Sequence, residues 1–271
     1  MALVEIRNLS FSYGNRRVLE NISFKIHRGE IFCLFGPNGC GKSTLLECVL
    51  GTLKAPRGSI YLEGRDAGTL RPAETARRMA YVPQLHEKTF PYTVKEVVLM
   101  GRAAYVGMFT SPTEDDYAAA EDAMKKIGIQ CLSGKLYTQL SGGELQLVMI
   151  ARALAQETPV MLMDEPTAHL DFRHELIIME TVVQLVRETG MSILMATHFP
   201  NHAFYFSNND IPTTVALMDS CRFAAVGRPE EVLSEKNMQR TFNVETRMVS
   251  YHREGDKIFR QIVALKTGGL R

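Results

Sequence analysis

The chain has 271 residues, 45% hydrophobic and 23% charged, and its 31 Lys and Arg nearly balance 30 Asp and Glu to leave a net charge of +1. That balance excludes a disordered polyelectrolyte and offers no overall field for nucleic acid or anionic lipid. No apolar run approaches the roughly 20 residues of a membrane helix, Glu5 and Arg7 interrupt any leader-like opening, and none of Cys33, Cys40, Cys48, Cys131 and Cys221 forms a C-x-x-C pair, so a reduced, cytosolic chain is expected.

Leu3 to Phe11 alternates apolar and polar residues, as does Ile22 to Ile26, with turn signals at Gly14-Asn15 and Arg28-Gly29. This predicts an antiparallel β-layer, with Tyr13 at the end of its first strand. The apolar run Ile31 to Phe35 leads into Gly36-Pro37-Asn38-Gly39-Cys40-Gly41-Lys42-Ser43-Thr44, and Leu45, Leu46, Val49 and Leu50 follow at helical spacing. Strand, glycine-rich loop and helix form the context of a phosphate-binding loop. Glycines let backbone N–H groups curl around an anion, and the helix N-terminus adds partial positive charge. Lys42 can reach the outer phosphates, and the Ser43 hydroxyl suits a magnesium ion. A nucleoside triphosphate is the expected ligand.

Ile60 and Leu62 form a short strand ending at Gly64, and Met79 to Val82 another, stopped by Pro83 with Gln84 behind it. From about Pro91 to Thr158 the pattern turns helical. Val94, Val97, Val98 and Gly101 suggest one helix. Ser111-Pro112-Thr113-Glu114 reads as a capping box that starts a second, which stops at Gly128. Ser141-Gly142-Gly143-Glu144 is a further capping box, before Leu147, Val148, Ile150, Ala151 and Leu154; its glycines and serine make a second possible anion site, or simply a well-capped helix.

Val160 to Met163 reads as a strand buried on both faces that presents Asp164 and Glu165 at its C-terminal end, the edge at which open α/β sheets bind ligands. A helix from Asp171 to about Arg187 closes at Gly190. Ile193 to Ala196 is another buried strand, with Thr197-His198 at its end. Val215 to Met218 and Phe223 to Val226 flank a turn, Pro229 to Phe242 is helical, and Arg247 to Tyr251 and Ile258 to Val263 flank Glu254-Gly255-Asp256 as a hairpin.

In this order, Gln84 in Tyr-Val-Pro-Gln, Leu140-Ser141-Gly142-Gly143-Glu144, Asp164-Glu165, Ala168-His169-Leu170-Asp171 and Thr197-His198 resemble the ATP-binding subunit of an ABC transporter across essentially the whole chain. The resemblance implies an α/β, RecA-like P-loop NTPase core with an antiparallel β subdomain and an inserted helical subdomain. The chain would form a single domain: core residues 1–86 and 159–227, helical subdomain 87–158, and a C-terminal helix and hairpin over 228–271.

It also implies roles. Tyr13 stacks on adenine, and Gly36, Pro37, Asn38, Gly39, Cys40, Gly41, Lys42, Ser43 and Thr44 cradle the phosphates. Ser43 and Gln84 ligate Mg2+, with Asp164 holding it through water. Glu165 is the general base and His198 holds the γ-phosphate and orients the water. Ser141, Gly142, Gly143 and Glu144 serve the ATP of a second copy in a head-to-tail dimer, with Asp171 coupling the two sites at the seam. Two departures stand out: Leu145 follows the signature where the family usually carries a basic residue, and Ala168-His169 replaces a common serine-alanine, with His169 expected to be exposed.

The short stretch from Gln84 to Leu140 fits a compact helical subdomain and excludes the coiled coil of ABC-type DNA-repair ATPases. Val97 to Arg102, Pro112 to Asp116 and His198 to Ala203 resemble the ATPases of iron-siderophore, haem and cobalamin importers. That likeness implies a peripheral subunit on the cytoplasmic face of the membrane. Its partners are a permease dimer and, through the permease, a substrate-binding protein, with no nucleic acid. Residues from Gln84 to about Phe109, Lys95 among the exposed ones, are expected to take the permease loop. An importer for another substrate class, or a non-transport ABC ATPase that switches a soluble assembly by dimerising, stands as the alternative.

Overall fold

Ile31–Phe35 is buried at every position, an all-apolar strand that a sheet covered on both faces requires. The computed structural model describes residues 2–84, 90–107, 110–252 and 258–268. The chain divides into two compact units, Met1–Gly68 with Ser192–Arg271, and Thr69–Met191.

In chain order the first unit begins with β1 (Val4–Tyr13), β2 (Arg16–Ile26), β3 (Ile31–Phe35), α1 (Lys42–Leu50), β4 (Ile60–Leu62) and β5 (Arg65–Asp66). The second unit contributes α2 (Pro72–Ala76), β6 (Met79–Val82), α3 (Val94–Leu99), α4 (Glu114–Ile127), α5 (Gly142–Leu154), β7 (Val160–Asp164) and α6 (Phe172–Thr189). The chain returns to the first unit with β8 (Ser192–Thr197), α7 (Pro200–Asn208), β9 (Thr213–Asp219), β10 (Arg222–Gly227), α8 (Pro229–Val232), α9 (Glu235–Phe242), β11 (Val244–His252) and β12 (Ile258–Thr267).

Within the first unit the early strands form an antiparallel sheet in the order β2-β1-β4-β5. The central strand β3 runs parallel to both β8 and β9, with Phe35 opposite Thr197 on one side and Leu217 on the other. β10 adds antiparallel to β9. Fully buried Leu34, Ile193, Leu194, Val215 and Ala216 show where the core sits, and each large side chain buried there contributes about 1.5–3 kcal/mol. β11 and β12 make a separate hairpin. Two asparagines of α7 fasten it: Asn201 pairs with both backbone groups of Ile262, at 2.8 and 3.1 Å, and Asn208 with both of Arg260, at 3.1 and 2.9 Å.

Within the second unit β6 and β7 pair in parallel, Val82 opposite Met163, and α3, α4 and α5 pack on one another. Arg102 is buried at their junction, bound to Asp116 at 3.0 Å, Glu157 at 2.7 Å and the Ala155 carbonyl at 2.8 Å. No helix among the described residues is long and apolar enough to cross a membrane. The fold is thus α/β, with parallel strands at its core and an antiparallel strand layer beside them.

Three local expectations need correction. The second helical segment is capped by Thr113, not Ser111, because the Asp116 carboxylate takes both the N–H and the hydroxyl of Thr113 while Arg102 holds its other oxygen. The helix begun at Val94 is α-helical only to Leu99, and Gly101 lies in a tighter 3-10 segment, Met100–Ala104. Pro229 to Phe242 is two helices, broken at buried Leu233, with Ser234 capping the second. The Glu254-Gly255-Asp256 turn lies outside the described residues.

Candidate nucleotide site and signature turn

In the first unit, Gly36 to Gly41 leave the C-terminal end of β3 and lead into α1. Gly41 caps that helix at φ 108°, with its missing Cβ facing the Val18 carbonyl at 2.9 Å, so only glycine closes the loop without strain. Lys42 is buried, 5% exposed, and donates to the carbonyls of Gly36 at 2.9 Å and Pro37 at 3.3 Å. Its ammonium therefore sits inside the loop. Ser43 is exposed and Thr44 half-buried, and Asn38 and Gly39 are exposed. Cys40 is buried, and that burial pushes its thiol pKa up, away from thiolate reactivity.

Tyr13 ends β1, 48% exposed, edge-on to Phe11, its hydroxyl 3.5 Å from Glu47. Its open ring can stack on a base. His198 follows β8, and because Phe35 and Thr197 are register partners it stands beside the start of the glycine loop. Its ring packs on Phe199 at a centroid distance of 4.0 Å. The turn beneath it is fixed by the Thr197 hydroxyl, which accepts the Phe199 N–H at 3.1 Å and pairs with Nδ1 of buried His202 at 2.8 Å. His202 was not foreseen as a brace. Its position four residues after His198, behind a proline at a helix start, was the available signal.

In the second unit, Gln84 and the Asp164-Glu165 pair stand at the C-terminal ends of the paired strands β6 and β7. Gln84 Nε2 donates to Glu165 Oε2 at 3.2 Å. Asp164 is buried, and Glu165 adopts a left-handed backbone, φ 45°, a strained conformation for a residue with a side chain. The segment after it turns twice, Ala168 N–H to the Glu165 carbonyl and Leu170 N–H to the Thr167 carbonyl, before Asp171 caps α6. His169 is exposed, with φ 64°.

Ser141 caps α5 and forms a reciprocal box with Glu144: its N–H reaches the carboxylate at 2.8 Å and its hydroxyl accepts the Glu144 N–H at 3.3 Å. Lys135 adds bonds of 3.0 and 3.2 Å to the same carboxylate. These donors hold the Glu144 carboxyl below the usual range, the Ser141 N–H first among them. Ser141 and Gly142 stay exposed, so the turn keeps the Ser141 hydroxyl proton and the Gly142 N–H for a ligand, while half-buried Leu145 brings no charge to it.

The same unit carries an apolar groove of about 310 Å³, lined by Glu96, Leu99, Met100, Ala103, Val106 and Pro112. All its lining residues but Pro112 fall in the stretch expected to take a partner, of which residues 85–89 and 108–109 lie outside the described set. Lys95 proves to be only half-exposed: it pairs with Glu121 at 2.7 Å and lies over the Tyr117 ring.

The model of the family described as "ABC transporter" matches residues 19–168. The hemin import ATP-binding protein of Thermobifida fusca is 38% identical over 92% of this chain and 85% of its own length. The petrobactin import ATP-binding protein of Bacillus anthracis is 34% identical over 90% and 88%. Among solved structures, a chain of an ABC transporter assigned to the metal-chelate type, in an inward-facing conformation, superposes with a TM-score of 0.84 at 28% identity over 98% of both chains.

Proposed function

Starting from the chain's membership of the ABC transporter family, as an ATP-binding, ATP-hydrolysing subunit, we propose that it energises the import of a metal chelate such as haem or an iron-siderophore complex. The names of the hemin and petrobactin importers support this cargo class. The observation that carries the mechanism is the hydrogen bond from Gln84 to Glu165, which gives one carboxylate a defined direction at a strand end.

Gly36 to Thr44 wrap the phosphates, with Lys42 exchanging loop carbonyls for phosphate oxygens, and Tyr13 stacks on the adenine. Glu165 takes a proton from a water molecule as the water's oxygen bonds to the γ-phosphorus and the bond from that phosphorus to the bridging oxygen of ADP breaks. His198 orients that water and the γ-phosphate. Such chemistry needs positioning and charge more than covalent help. Ser43, Gln84 and, through water, Asp164 offer only oxygen donors. Gln84 commits its nitrogen to Glu165 and so presents a carbonyl oxygen. This set fits Mg2+, which neutralises phosphate charge when bound.

One chain carries one phosphate loop and one signature turn. A second copy, arranged head to tail, therefore supplies Ser141, Gly142 and Gly143, with Glu144 locking their turn and Asp171 at the seam. ATP closes the pair and hydrolysis opens it. In this reading the apolar groove lined by Met100 takes a cytoplasmic loop of a permease and the subunit sits peripherally at the cytoplasmic face; a substrate-binding protein acts from the other side. The test is Glu165→Gln: the variant should bind ATP, form a trapped dimer and cease turnover. A variant that stays monomeric and hydrolyses at the parent rate defeats the assignment. For the cargo, hydrolysis by the assembled transporter in lipid nanodiscs should rise with a haem- or siderophore-loaded binding protein.

A further inference from the structure

We infer that His174 is a positioning residue: its imidazole, bound to Asp171, sets the Ser141–Gly143 turn in the geometry that holds a second copy's nucleotide. The inference rests on the head-to-tail reading above. Its ground is a contact between two segments far apart in sequence. His174 Nδ1 lies 2.9 Å from each Asp171 carboxylate oxygen, so that nitrogen carries the proton and donates. Capping α6 needs only the His174 backbone N–H, which already reaches Asp171 at 2.8 Å. The ring bond is therefore additional to the cap, and it fixes the direction of the imidazole.

That direction leads to the signature turn. A Cβ built on Gly143 would overlap Cγ and Cδ2 of His174, and one on Gly142 would meet the Leu170 side chain at 3.6 Å. The imidazole fills the space that a side chain at Gly143 would need. Gly143 is buried while Ser141 and Gly142 remain exposed, so the ring supports the turn from behind and leaves those two residues outward. The side chain is 30% exposed, and its bond to both Asp171 oxygens opposes rotation away from Gly143. A shift of Asp171 is thereby passed to Gly143 through one rigid five-membered ring.

The experiment compares ATP-driven dimerisation by analytical ultracentrifugation in the Glu165→Gln parent, in parent plus His174→Ala, and in parent plus His174→Asn. Asparagine keeps an N–H within reach of Asp171. Fluorescent-ATP binding to each monomer and thermal unfolding without nucleotide run alongside. The alanine variant should bind ATP within about twofold of the parent yet need about tenfold more ATP to dimerise, the size of a modest coupling between sites. Asparagine should recover most of that loss. Dimerisation of the alanine variant at the parent's ATP concentration overturns the inference while leaving the head-to-tail reading intact. A folded asparagine variant that binds ATP but dimerises ten times more weakly than the parent overturns it as well, including where alanine does not fold. A parent that fails to dimerise overturns both.

Discussion

Gln84 donates to Glu165 across 3.2 Å although 81 residues separate them, joining the ends of two parallel strands through side chains. Removing that donor should leave the carboxylate in place with one bond fewer to set its direction. Gln84→Ala is expected to slow ATP turnover about 10- to 100-fold, as a small misplacement of a reacting group does. Phosphate release measures this, and fluorescent-ATP binding to the same variant should show that the nucleotide is still held.

The phosphate loop makes a sharper demand. Gly41→Ala places a side chain at φ 108° against the Val18 carbonyl. The expected cost is about 1–3 kcal/mol of stability, read as a lower urea midpoint without nucleotide, together with weakened ATP binding. Gly14→Ala, with φ 55° but open space around it, keeps the strain and lacks the contact. It should therefore lose less stability.

For the groove, substitution at Met100 is a cleaner test than at Lys95, whose pairing with Glu121 makes charge reversal there a structural change as well. Met100→Glu puts a carboxylate on an apolar lining. The isolated subunit should hydrolyse ATP at the parent rate, while recovery with its permease on affinity purification falls about tenfold or more. Unchanged recovery removes the groove from the interface.

Acid should act on the second unit through Asp116. Its carboxyl is held below its ordinary value of 3.8, first by the Thr113 N–H and then by Arg102. A depressed folded pKa means that stability is fully present well above the unfolded value and lost as pH falls through the folded one. As pH falls from about 6 through the unfolded value, the urea midpoint of the parent should therefore drop further than that of Asp116→Asn, the gap between the two narrowing toward the folded pKa.

The sequence was most legible where a local rule was enforced by chemistry. Gly36 to Lys42 between an apolar strand and a helix, Met79 to Val82 before a proline, and Ser141 with Glu144 each needed only neighbouring residues to be read, and each forms as read. It was least legible where a distant residue decided between two local options. Ser111 and Thr113 both head plausible caps. The choice falls to Thr113 because Arg102 draws Asp116 inward, a preference invisible in the stretch itself. His202 under Thr197, and His174 against Gly143, follow from packing rather than from spacing. The roles proposed for Glu165, His198 and Asp171 rest on the order of motifs along the chain, and the geometry adds bonds that orient the two carboxylates among them.

The paired asparagines on α7 alter what the final hairpin can tolerate. In most hairpins the connecting turn determines which residues face each other, so its length is constrained. Here Ile262 and Arg260 are each gripped on both backbone groups from outside the hairpin. The frame of β12 is thus imposed by a helix. Insertions between His252 and Ile258 should leave the pairing of Met248 with Ile262 untouched, whereas a single deletion between Arg260 and Ile262 would disengage one asparagine outright. A tag or probe spliced between His252 and Ile258 is therefore expected to leave the helix that begins beside His198 in place.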